Sequence, residues 1–292
     1  MRSSLADVGD VGDVVRVDPL RPRWCAGQGS LGPCGGRNTD WVRVLVAAFS
    51  DRMQLVWSAL PTDDQVGSRN PSVPWRPTDR VTMRMPDALS GDDDAAALGL
   101  LRRYFGEPFG GPSAAVGALF DQWDSTGTRA ADTNRFTADD LVAVTFLSVE
   151  VPPRAARLLL RDRADEFTEL LTAVGPDHDL AEHTEPMDSS SAVWRLEAAL
   201  RGMKLGLGRT TTSKLIARKR PRLVPVWDTV IAAVTDMQDH QWEPLRAALQ
   251  ADDHALHRRL LTLRDAAGLP SDVGALRVLD VIAWREGKNK GR

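Results

Sequence analysis

Glycines, threonines and cations cluster between residues 198 and 227, where the chain carries eight Lys and Arg side chains and no Asp or Glu. The whole chain has a formal charge of -3, so the remaining residues carry -11. Solvated helix faces usually interleave both signs, and a window this long without an acid indicates an anionic partner. The sequence therefore predicts a positively charged surface formed by residues 198–227, the basic strip, on an otherwise acidic protein.

Phosphate is the anion that this segment is best suited to bind. Residues 205–208, Leu-Gly-Leu-Gly, can form a tight turn, and the helix expected from Arg209 would point its first amides at a ligand. Hydroxyl and cationic side chains follow, so one backbone phosphate could be held without reading sequence. The alternative is a packing turn between two helices. The predicted contacts are Gly206, Gly208, Arg209, Thr210, Thr211, Lys214, Arg218, Lys219 and Arg220.

The same residues resemble the helix-hairpin-helix DNA glycosylase superfamily of base-excision repair. Residues 205–208 look like its hairpin, and residues 225–229, Pro-Val-Trp-Asp-Thr, look like the segment with its catalytic Asp. The resemblance covers about residues 136–234. The chain also resembles an uncharacterised actinobacterial family that shares the Arg-Lys-Arg-Pro run.

Two differences from the family pattern limit the activity that the resemblance implies. Leu205 replaces the hairpin proline, and Thr210 stands where strand-cleaving members have a catalytic Lys. The resemblance thus implies a monofunctional glycosylase without lyase activity, in which Asp228 assists hydrolysis of an N-glycosidic bond. The alternatives are a non-catalytic DNA- or RNA-binding module in which Asp228 only caps a helix, and a protein-interaction domain with an acidic partner.

The elements that position these residues are predicted to be helices. Beyond residue 95 the apolar residues recur three and four apart with few β-type alternations, which predicts a mostly α-helical fold. Thr137 and Asp140 form a capping-box pattern, Ser191 begins a further helix, and Pro152 and Pro153 are expected to end the helix before them. We assign residues 95–287 to the helical domain and 288–292 to a basic tail.

The first 94 residues differ in composition from the helical domain. Residues 1–40 are rich in Gly and Pro and predict a flexible arm that holds Cys25 and Cys34, and residues 41–94 predict an apolar element followed by a Pro-rich linker. No apolar run approaches the roughly 18 residues of a membrane span, and no signal sequence is evident, so we expect a cytoplasmic protein with no membrane partner. The five His residues are explained by solvation, and we expect no metal and no cofactor.

Overall fold

A computed structural model describes residues 83–237 and 242–291. The predicted arm over residues 1–40, with Cys25 and Cys34, lies outside the described residues, as does most of the segment 41–94. The described part is helical and contains no strand, so the predicted mostly α-helical fold is confirmed. None of its helices is both long and apolar enough to span a bilayer.

Ten α-helices make up the described part. In chain order they are α1 (Ala95–Phe105), α2 (Leu119–Gln122), α3 (Ala138–Thr145), α4 (Pro153–Arg157), α5 (Ala164–Val174), α6 (Ala192–Gly202), α7 (Arg209–Lys219), α8 (Thr229–Thr235), α9 (Trp242–Ala266) and α10 (Ala275–Asn289). Helix α9 is broken at residues 251–254, where the backbone leaves helical geometry.

Helices α7 and α10 form the centre of the fold. Helix α7 packs against α3 and α6, and α10 packs against α1, α8 and α9. Every residue from 211 to 220 is buried, which is unusual for a segment that carries four cations. The segment that looked most like a surface in the sequence is therefore an interior helix.

The predicted helix starts are confirmed. Asp140 reaches back to the Thr137 amide at 2.8 Å, which gives α3 its capping box. The Ser191 hydroxyl accepts from the Trp194 amide at 3.2 Å at the start of α6, and Asp228 caps α8. Each cap satisfies an amide that the first helical turn leaves without an intrahelical acceptor.

Some predicted boundaries are wrong. The helix expected to run to Pro152 ends at Thr145, and Pro153 instead opens α4, where its missing amide and preset φ are compatible with a helix start. From Pro153 to Val174 the chain forms α4, a π-helical turn over Leu158–Asp162, and then α5. The predicted linker is also wrong in its last part, because Leu89 is buried and the Arg84 amide donates to the Thr235 carbonyl at 2.8 Å.

The basic tail begins later than predicted. Helix α10 continues to Asn289, and the ammonium of Lys290 binds Asp87 at 2.5 Å and Glu286 at 2.7 Å. These contacts join the end of the last helix to the short helical turn Asp87–Leu89. Residues on both sides of the predicted helical domain therefore belong to it.

Candidate functional site

A hairpin of residues 203–208 joins α6 to α7. Helix α6 ends at Gly202 and α7 begins at Arg209, so the predicted helix, turn and helix are present. The chain reverses through positive φ angles at Lys204 (51°) and Gly206 (81°), and the Gly208 amide donates to the Gly206 carbonyl at 3.2 Å. We call these residues the hairpin.

The two hairpin glycines have different physical roles. A Cβ on Gly206 would lie 3.2 Å from the Pro152 side chain, and its φ of 81° disfavours any other residue, so Gly206 is needed for the turn itself. Gly208 has a φ of -74°, which any residue adopts, and a Cβ there would meet open space. The fold does not require glycine at 208, and the space above it is free for a ligand.

The first turn of α7 follows the hairpin directly. The Thr212 amide donates to the Gly208 carbonyl at 3.0 Å. It is the first amide of α7 that has an acceptor one turn earlier in the chain. Arg209 and Thr210 are half-buried, and Thr211 is buried. The Arg209 guanidinium lies over the Trp227 ring at 4.7 Å, which holds it at the hairpin.

Four predicted phosphate contacts are wrong because they lie in the interior. Lys214, Arg218, Lys219 and Arg220 are only 3, 2, 6 and 1% exposed. Burial lowers the pKa of each of these cations, although a carboxylate close to each acts in the opposite direction. They cannot line a surface groove, and the basic strip is reduced to the residues around the hairpin.

The buried cations hold together segments that are distant in sequence. Arg218 donates to the carbonyl oxygens of Phe120, at 2.6 Å, and Trp123. Lys219 binds the Asp132 carbonyl at 3.0 Å and the Asp140 carboxylate at 2.5 Å. Asp140 therefore caps α3 and is also the counterion of α7.

Arg220 has the most extensive set of contacts. Its guanidinium donates to the Gly175 carbonyl at 2.6 Å, to the Leu171 and Thr133 carbonyls at 2.8 Å, and to the Asn134 side chain at 2.5 Å. These acceptors belong to the loop before α3 and to the end of α5. The side chain is thus the centre of a polar network inside the helical domain.

Asp228 lies next to α7. One carboxylate oxygen accepts from the Val230 amide at 2.9 Å, and the other lies 3.5 Å from the Lys214 ammonium. The same ammonium donates to the Leu147 carbonyl at 2.8 Å. The Asp228 side chain is 21% exposed, so it remains accessible at the edge of this buried contact.

A second buried charge cluster was missed in the sequence. On α10, Arg277 binds Asp280 at 2.9 Å and Asp121 at 2.7 Å, and donates to the Tyr104 hydroxyl at 2.9 Å. Burial raises the pKa of Asp280 to about 7, against the opposing effect of Arg277. The Arg277–Asp280 spacing of three residues within a helix is the one signal that could have indicated the pair.

Two histidines between α5 and α6 contact each other. His178 and His183 are hydrogen-bonded ring to ring at 2.9 Å. Within residues 83–237 and 242–291, no three His, Cys, Asp or Glu side chains are grouped as metal ligands would be.

Comparison with known proteins identifies the family but no function. The model of a family of unknown function, DUF6308, matches residues 97–287, and the chain belongs to that family. No curated protein and no solved structure matches the chain. The matched range begins in α1 and ends in α10, so it coincides with the helical domain and includes the hairpin, Asp228 and the four buried cations.

Proposed function

We propose that this member of the DUF6308 family is a DNA-binding protein that holds one backbone phosphate of duplex DNA at the hairpin and the first turn of α7. The observation that carries the proposal is the opening above Gly208, where the backbone is accessible and the fold does not require a glycine. A phosphate oxygen can approach such amides closely, and the positive end of the helix dipole favours it.

Three cations around the hairpin support an anionic ligand. Arg201 and Lys204 are exposed, and Arg209 lies at the start of α7. Arg201 also lies 3.5 Å from Glu197, so part of its charge is already compensated within the protein. The charge available to DNA is therefore smaller than the eight cations of the sequence suggest.

The three cations around the hairpin predict a modest salt dependence of DNA binding. Each neutralised phosphate contributes a slope of about -0.9 to the logarithm of the binding constant plotted against the logarithm of salt concentration. Neutralisation of the phosphate at the hairpin and of one or two neighbouring phosphates by the three cations gives a slope of about -2 to -3. Fluorescence anisotropy of a labelled duplex, titrated at several salt concentrations, measures this slope. Binding that is absent, or that does not weaken with salt, would contradict the proposal.

The second candidate function is hydrolysis of an N-glycosidic bond at Asp228. The observation that favours it is a partly exposed carboxylate whose two oxygens are oriented by the Val230 amide and by Lys214. Such a group can stabilise the cationic sugar that forms as the base leaves. The binding-module alternative needs Asp228 only as the cap of α8.

Release of a free base separates these two alternatives. The hydrolase predicts that a panel of damaged duplexes yields free base and that Asp228→Asn abolishes the release while DNA affinity is kept. Asp236→Asn is the matched control, because Asp236 is an exposed carboxylate at the other end of α8. If no duplex of the panel releases a base, Asp228 is a structural cap.

A further inference from the structure

An open groove with a volume of about 460 Å³ lies along α6 beside the hairpin. Its walls come from one face of α6, where residues recur three and four apart, and from the end of the hairpin. The lining residues used in this argument are Trp194, Glu197, Ala198, Arg201, Leu207 and Gly208. The groove therefore shares Gly208 with the proposed phosphate site.

Trp194 gives the groove an aromatic face. It is 36% exposed and is the one exposed aromatic side chain in residues 83–237 and 242–291. Its ring is held in place by Trp242, with ring centres 5.9 Å apart and planes perpendicular. A fixed, partly exposed indole costs little entropy when a flat ligand stacks on it.

Glu197 gives the groove a hydrogen-bond acceptor. Its side chain is 12% exposed, and burial raises its pKa, although Arg201 and Arg209 act to lower it. A carboxylate flanked by two cations keeps its acceptor oxygens without making the groove negative overall. An aromatic face beside a carboxylate matches a ligand that is flat and carries N–H donors.

We infer that this groove binds an unpaired nucleobase of the DNA strand whose phosphate is held at the hairpin. The inference rests on the proposed function, because the shared Gly208 places the groove next to the phosphate site. The base stacks on Trp194, and its amino group donates to Glu197. Cytosine carries such a donor, since its exocyclic amino group is one that Glu and Asp side chains accept from.

Two duplexes of the same sequence test the inference, one fully paired and one with a single bulged cytosine. We expect the wild-type protein to bind the bulged duplex about ten-fold more tightly, as base stacking on an aromatic side chain provides. Trp194→Leu should remove this preference and leave affinity for the paired duplex unchanged. Trp194→Phe, which keeps an aromatic ring, should retain most of the preference.

The outcomes distinguish the inference from the function on which it rests. Equal affinity of the wild-type protein for the two duplexes, or a preference that persists in Trp194→Leu, overturns the groove assignment alone. A preference for a bulged thymine equal to that for cytosine overturns the role of Glu197. Failure to bind either duplex overturns the proposed function and the inference together. Thermal unfolding of the Trp194 variants confirms that each is folded.

Discussion

Replacing Arg220 with methionine is expected to lower the free energy of unfolding by about 3 kcal/mol or more. The guanidinium is 1% exposed and donates to the carbonyls of Gly175, Leu171 and Thr133. Methionine keeps much of the volume but leaves these buried oxygens without donors, and each loss costs about 1–3 kcal/mol. Urea unfolding followed by circular dichroism measures the change.

Arg154→Met is the matched control for this experiment. Arg154 is an exposed arginine near the start of α4, and its replacement should change the free energy of unfolding by no more than about 0.5 kcal/mol. A loss below about 1 kcal/mol for Arg220→Met would contradict the role of the Arg220 side chain as the centre of a buried polar network.

The Arg-Lys-Arg run shows what sequence reasoning could and could not predict. Buried cations whose acceptors are backbone carbonyls leave no trace in the sequence, because every residue type carries a carbonyl. One signal was nevertheless present: successive residues of a helix project about 100° apart, so the side chains of a run of three cations that begins in a helix cannot all face one DNA surface. Counting charges along the sequence missed this signal, because a count does not consider the directions in which the side chains project.

The helix caps were predicted well because they depend on local chemistry. Thr137 with Asp140, Ser191 and Asp228 each cap the helix that the sequence assigned to them. The second role of Asp140, as the counterion of Lys219, could not be predicted, since it depends on how α3 and α7 pack. The same holds for the groove, whose Trp194 and Gly208 are 14 residues apart in the sequence and meet only after the hairpin forms.

The hairpin was predicted as a turn, and the structure shows that its two glycines have different roles. Gly206 is needed for the backbone conformation, so its replacement would disturb folding and binding together. Gly208 is different, because it has an ordinary φ and open space around its Cα. A side chain at 208 should leave the fold intact and occupy the space that a phosphate would use.

Gly208→Val is therefore the sharpest variant for the proposed DNA site. Because hydrogen bonds to a charged group are worth about 1.5–3 kcal/mol, excluding the phosphate from the amides should weaken duplex binding by at least about ten-fold. Gly91→Val is the matched control, since Gly91 also has open space around its Cα and lies in a loop between the Asp87–Leu89 turn and α1.

The measurement that tests the central claim most directly is the dissociation constant of one labelled duplex for the wild-type protein, Gly208→Val and Gly91→Val at the same low salt concentration. The hairpin site predicts that Gly208→Val is folded, that its dissociation constant is raised at least about ten-fold, and that Gly91→Val shows none of this rise. Unchanged affinity in a folded Gly208→Val protein would contradict the claim that the hairpin binds DNA.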